Sequence, residues 1–410
     1  MSECGGAVTI GDVVYHAWVR SRLVTAIAVT LASVLVAAGC AESVTATWRA
    51  TPASSATPGQ FTPTTASPTA SPTNPTTTPP VNPVPRNGNP AGRAVVPAEA
   101  QAVDSSHPAR VIGTGTAASC TSAAVVSAVA AGGISTFNCG AGPVTIVMTA
   151  TAKVHNDTGR TVLDGGGKVT LSGGGARRIL YLNTCDSSLG RSRSDCLYQT
   201  DTQLVVQNLT FVDGNSTGNM TEGGGGGAIF VRGGRLKVVN SRFQRNRCDP
   251  TGPDLGGAAI RITIQYHSKP NYLVNSTFGG ARGQGGSCSN GGAVSGLHAS
   301  LAVYNSVLTY NTATGNGANP ARSGTPGGGS GGAIYTDGDK FTVGIYGSVI
   351  TDNHAKEGGG AIFMVSNDRT GTLTIDSSTL ERNPSDGFEN SPGIFFLGSG
   401  KPKITSSVVR

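Results

Sequence analysis

Apolar and polar residues alternate along most of the chain after about residue 140, in short runs broken by Gly, Asn, Asp and Ser. A period of two marks half-buried strands, and no stretch there carries the helical period. The runs also repeat. Val238–Asn246 reads Val-Val-Asn-Ser-Arg-Phe-Gln-Arg-Asn, with echoes starting at Val205, Leu273, Val303, Gly344 and Thr374, and a partial copy ends the chain. A second motif, Gly-Gly-Ala-Ile, stands at Gly226–Ile229, Gly331–Ile334 and Gly359–Ile362, with variants at Gly257–Ile260 and Gly291–Val294. The turn position recurs at 208, 240, 275, 305, 347, 377 and 406, so each unit is about 30 to 40 residues long.

Units of this size, with two or three strands and Gly at the turns, describe a β-solenoid. The expected fold is all-β: a right-handed, single-stranded parallel β-helix whose coils stack at ~4.8 Å. Asn208, Asn240, Asn275 and Asn305 then fall in one column, which predicts a structural ladder of side-chain amides. The repeats occupy 205–410, and 98–204 reads as the N-terminal cap and early coils. Within it, the Ala- and Val-rich stretch after Cys120, bounded by Thr121-Ser122 and Gly132-Gly133, predicts a short helix covering the open end of the stack.

The Gly-Gly-Ala-Ile motif with Phe243-x-x-Asn246 resembles the repeats of chlamydial polymorphic outer membrane proteins. More broadly the chain is similar to pectate-lyase-like right-handed β-helices and to secreted actinobacterial proteins with such repeats. The resemblance covers about 205–410 and implies architecture. It implies little chemistry, because one scaffold of this kind hosts lyases, hydrolases and adhesins.

Composition supports strands and turns. Of 410 residues 60 are Gly, aromatics make up 5% and charged residues 13%. The formal charge of +7 is spread out, with no run of Lys and Arg interleaved with aromatics. A nucleic-acid groove is therefore not expected. An acidic polymer, such as a teichoic acid or a uronic-acid glycan, is the partner such a charge would attract.

The first hundred residues read as delivery. Arg20 and Arg22 precede the apolar run Leu23–Ala38, and Gly39-Cys40 follows. This is the pattern of a secretory signal, over residues 1–40. Ala37-Ala38-Gly39-Cys40 resembles the bacterial lipobox, although Ala37 stands where that family usually has Leu. The resemblance implies that Cys40 is lipidated and ties the chain to the outer face of the cell membrane. The polar stretch before Arg20 is unusual for a signal and points to a true start near Val14 or Val19. Residues 41–97 are mostly Thr, Pro, Ser and Asn. Too few are apolar to offset the entropy of ordering, so a disordered, semi-rigid linker is expected. In polyproline II form it could reach on the order of 170 Å, enough to cross part of a thick cell wall.

Six further cysteines form an even set, as in a secreted disulfide-bonded domain. Sequence proximity suggests Cys120–Cys139, Cys185–Cys196 and Cys248–Cys288, with other pairings open.

A lyase site of the pectate type needs acids on neighbouring coils for Ca²⁺ and a cationic base. Two residues after each inward Phe or its equivalent stand Asp213, Arg245, Gly280, Tyr310, Asp352 and Arg382. The two Asp are four coils apart, roughly 19 Å, too far to share an ion. The Asn-Thr-Asp, Asp-Asp and Gly-His-Gly signatures of polygalacturonases do not occur. His354 lies near Asp352 and Glu357 in one loop. The best acidic group is Asp337 and Asp339 with Asp368, which follow Gly-Gly-Ala-Ile strands in consecutive coils. They are the candidate Ca²⁺ ligands; otherwise no cofactor is expected.

Length variation is concentrated at 247–255, 279–290, 312–330 and 354–358, one phase of the repeat. Insertions at one phase emerge on one face, often the binding face. The sequence thus predicts a monomeric, extracellular, membrane-anchored protein that binds a polysaccharide or another cell-wall or host polymer. A polysaccharide lyase or glycoside hydrolase on the same scaffold is the alternative.

Overall fold

The computed structural model describes residues 87–410, apart from 200, 221–223 and 266–268. The signal segment, Cys40 and the linker up to residue 86 lie outside the described residues. The fold is all-β with few helices and large parallel sheets, an arrangement consistent with a solenoid-like stack. Among the described residues the strands form sheets of 17, 8 and 3 strands.

Each repeat adds two strands to the first large sheet and one to the second, at equivalent places. In the first sheet the strands Gln203–Val212, Arg235–Val239, Asn271–Val274, Leu301–Tyr304, Thr342–Tyr346, Thr372–Asp376 and Lys403–Thr405 pair in parallel, one after the next. In the second sheet the Gly-Gly-Ala-Ile strands do the same, from Leu180–Asn183 to Ile394–Leu397.

Parallel register places like on like. Leu163, Val206, Val238, Leu273, Val303, Ile345 and Ile375 form one inward column, all fully buried. Leu180, Ile229, Ile260, Val294, Ile334, Ile362 and Ile394 form the opposing one, also fully buried. A third begins with Phe211, Phe243 and Phe278, whose rings stack at 4.9 and 4.6 Å, and continues through Leu308, Ile350 and Leu380. Burying each of these side chains contributes roughly 1.5–3 kcal/mol.

The turns are columns too. Asn208, Asn240, Asn275, Asn305, Gly347, Ser377 and Ser406 have φ between 46° and 58°. Asn tolerates this left-handed region better than most residues do, which explains its recurrence. The first Gly of each Gly-Gly-Ala-Ile motif is also left-handed, and at Gly257 a Cβ would stand 2.0 Å from the Ile260 carbonyl oxygen. No other residue fits that corner.

The expected amide ladder requires correction. Asn240 Nδ2 does donate to Asn208 Oδ1 at 2.8 Å, and Asn208 donates to Asp164. Asn305, however, exchanges hydrogen bonds with the backbone of Ala94. The buried ladder lies instead at the Asn that ends the Phe-x-x-Asn motif. Asn311 N and Nδ2 both donate to Asn353 Oδ1, and Asn353 N and Nδ2 both donate to Asn383 Oδ1. A second ladder uses the Ser after each turn residue. The amides of Ser241, Ser276, Ser306, Ser348 and Ser378 each donate to the next repeat's Ser Oγ at 3.0–3.1 Å.

At the N-terminal end, the helix Ser122–Ala131 is capped by Thr121, whose hydroxyl accepts from Ala124 N. It buries Val125, Ala128 and Val129 in the core. Before it, residues 87–107 run as a strap across the outer face of the first sheet. Asn87 bonds Asn240, Asn89 bonds Gly347, Val103 and Gln207 exchange two bonds, and Ser105 reaches Asp164. Eleven residues read as linker, 87–97, thus belong to this strap.

Asn353→Ala removes the acceptor of two buried donors and three donations of its own. It should cost at least about 3 kcal/mol in denaturant unfolding. Asn275→Gly, at a left-handed turn, should change stability by no more than about 0.5 kcal/mol.

Candidate functional site

The length-variable loops gather on one side of the stack and are tied to one another. Cys248 and Cys288 are bridged with Cα atoms 4.8 Å apart, joining consecutive repeats. Thr314 Oγ1 donates to Pro250 O, and Gly252 N to Gly327 O. Glu357 is buried under the longest loop and accepts from Gly317 N at 2.7 Å and from both terminal nitrogens of Arg322 at 2.7 and 2.8 Å.

Beneath this roof the second sheet turns a column of large side chains outward. The residue after the inward Ile or its equivalent is in turn Tyr181, Phe230, Arg261, Ser295, Tyr335, Phe363 and Phe395. Around Arg261 and Tyr335 this column meets the loops. Asn319 Nδ2 lies 2.9 Å from Asp254 Oδ1, 3.0 Å from the Tyr335 hydroxyl and 3.2 Å from Asp337 Oδ2. Tyr335 donates to Asp337 Oδ2 at 3.1 Å, and Asn367 reaches the other oxygen. Arg261, 2% exposed, donates to Ser295 Oγ and to the Asp254 carbonyl. Beside them a cavity of about 330 Å³ is lined by Met220, Pro253, Leu255 and Arg261.

The electrostatics follow from burial. Desolvation lowers the Arg261 pKa to about 10, against the pull of Tyr335, Asp254 and Asp337, so it remains a cation at neutral pH. Burial pushes the Tyr335 hydroxyl up, and it stays protonated. Burial also raises Asp337, against the hydroxyl that Tyr335 donates. Two carboxylates with different surroundings therefore share one amide. As arranged, that amide sits between them and fastens the loop to the sheet.

Among the described residues the proposed Ca²⁺ ligands do not form one group of three. Asp337 belongs to this cluster. Asp339 faces His298, with 3.8 Å between carboxylate and ring nitrogen. Asp368 closes its own turn, accepting from Ser366 and Thr370. Among the described residues, no group of three or more His, Cys, Asp or Glu could hold a metal ion. Ser366 Oγ reaches both the Asp339 carbonyl and Asp368 Oδ1, while Asp337 turns to Tyr335 and Asn319. His354 pairs with Asp386 of the next repeat at 2.9 Å, not with Asp352 or Glu357. Asp213 and Asp352 each pair side-on with the Arg one repeat later, Arg245 and Arg382.

The other two disulfides, Cys120–Cys139 and Cys185–Cys196, have Cα separations of 5.6 and 5.0 Å. Three disulfides point to an extracellular or otherwise oxidising environment. Among the described residues no helix is long and apolar enough to cross a membrane.

Sequence reading missed Arg261, Asp254, Asn319 and Tyr335. Aligning the residue after each Gly-Gly-Ala-Ile would have exposed the outward column. Nothing in the sequence says that Asn319, inside a long insertion, returns to it.

Glu357 supplies a pH test. The Arg322 guanidinium holds its carboxyl below the ordinary 4.5. Its contribution is thus complete above that value and is lost as pH falls through the lowered one. Asp337, being raised, has the opposite sign: its contribution is present at low pH and fades as pH rises through its raised value. The Gly317 amide should therefore lose hydrogen-exchange protection below about pH 4.5, and Glu357→Gln should abolish that pH dependence.

Compared with protein-family models, with curated proteins and with solved structures, the chain matches none.

Proposed function

We propose that this chain is a right-handed parallel β-helix, displayed at the cell surface by a lipid on Cys40, that binds a polysaccharide or another cell-wall polymer along its length. The observation that carries the reading is the register itself. Equivalent side chains recur, repeat after repeat, along a rigid surface flanked by fastened polar loops. A periodic surface of this kind suits a periodic ligand. The handedness rests on the strong preference of parallel crossovers for the right hand, about 98% of cases. The disulfides favour export, and the polar sequence up to residue 86 suits a spacer.

A second reading, a glycoside hydrolase or polysaccharide lyase, is favoured by one observation. Asp254 and Asp337 stand within reach of the same Asn319 amide, and burial raises the proton affinity of Asp337. Carboxyl groups whose surroundings differ in this way can divide acid and base roles.

Retention of the purified chain on insoluble cell-wall and plant polysaccharides tests the first reading. Retention with no new reducing ends or unsaturated products is expected. Product formation that disappears in Asp337→Asn would establish the second. For the anchor, Cys40→Ala should move the protein from the membrane fraction to the medium. An unchanged membrane fraction would exclude lipid attachment at that residue.

A further inference from the structure

The outer face of the first sheet carries a groove away from the roofed cluster. In-register pairing puts Tyr272, Ala302, Gly344 and Thr374 at one outward position of four consecutive repeats. It puts Val274, Tyr304, Tyr346 and Asp376 at the neighbouring one. The small residues of the first column leave room for the tyrosines of the second. A Cβ on Gly344 would stand 2.4 Å from Tyr346 Cε2, so that ring lies across the glycine. Tyr304 and Tyr346 stack at 4.8 Å, 19° from parallel.

The stack then stops. The next repeat offers Asp376 in place of a third ring, and Thr374 where the ring leans. One face of Tyr346 is thus directed along the sheet over Thr374, and among the described residues no aromatic ring covers it. The cavity along this row measures about 440 Å³, within the range of small-ligand sites. Its polar groups include the hydroxyls of Thr342, Thr372 and Thr374, those of the lining tyrosines, and the carboxylate of Glu99, which accepts from the Tyr272 hydroxyl at 3.1 Å. No Lys or Arg lines it. The nearby Lys237 gives its protons to the carbonyls of Glu99 and Gln101.

An open aromatic face, a row of hydroxyls and a carboxylate match a polyhydroxylated ring with apolar C–H faces. The lining offers no counter-charge to a carboxylated or phosphorylated polymer. We infer that this groove binds an extended chain of neutral pyranose rings, with one ring stacked on the open face of Tyr346. The chain lies along the stack, where the repeat spacing of ~4.8 Å is close to the advance of an extended β-linked sugar chain. Thr372, Thr374 and Glu99 take up its hydroxyls. This inference rests on the polymer-binding reading and adds to it a location and a ligand class.

The test is titration of the full chain with cellohexaose and chitohexaose, with hexagalacturonate as the charged comparison. Binding of a neutral hexasaccharide is expected. Tyr346→Ala should weaken it roughly tenfold through the lost stacking face, and Tyr346→Phe should leave it nearly unchanged. Thr374→Arg, which fills the groove from the surface without touching the core, should abolish it even if Tyr346→Ala fails to fold. Neutral-sugar binding that survives both Tyr346→Ala and Thr374→Arg would overturn the groove but leave polymer binding intact. Tighter binding of hexagalacturonate would overturn the ligand class. Failure to bind any of the three, with retention on insoluble polymer preserved, would overturn the groove alone. Loss of that retention as well would remove the polymer reading with it.

Discussion

Parallel pairing in register makes each repeat face a copy of itself, and the rest of the molecule answers to that constraint. Apolar residues gain from it without conditions, as the Ile and Phe columns show. Polar residues gain only if the same group can both give and accept. Asn and Ser can do this. Asn353 accepts from Asn311 and donates to Asn383, and each Ser hydroxyl accepts from the repeat before while donating to its own strand. Carboxylates and guanidiniums cannot repeat in register without repulsion, so they alternate, as in Asp213 with Arg245 and Asp352 with Arg382.

The same constraint separates scaffold from chemistry. Inward positions and turns are fixed by stacking, while the two outward faces are free to vary. On one face the insertions fold back and are secured by buried contacts at Glu357, Asn319 and Cys248–Cys288. On the other the strap runs beside the tyrosine row as far as Gly347. The polar network at Asp337 is well connected because loop and sheet each provide half of it.

The strand periodicity, the repeat and the Gly-Gly-Ala-Ile corner were legible because each is local and recurs. The capping helix was legible from Thr121 and Gly132, which begin and end it. The choice of ladder was not. Asn208 to Asn305 and Asn246 to Asn383 recur equally well as letters, and only backbone geometry assigns the first set to left-handed turns and the second to the interior. The acid cluster was half legible: Asp337 drew notice, but its partners Asp254 and Asn319 come from insertions that follow no period. The strap was invisible because Asn87 to Val103 make their bonds with residues over 100 positions away.

Those long separations bear on how the molecule assembles. Asn89 cannot find Gly347, nor Ala94 its partner Asn305, until more than 200 further residues have been made and stacked. The strap precedes the stack in the chain, yet it can settle only after that stack has grown. Folding that begins as the chain emerges N-terminus first must therefore leave this segment waiting. The outer sheet face, with Val239, Tyr272 and Val274, stays uncovered until the later repeats arrive.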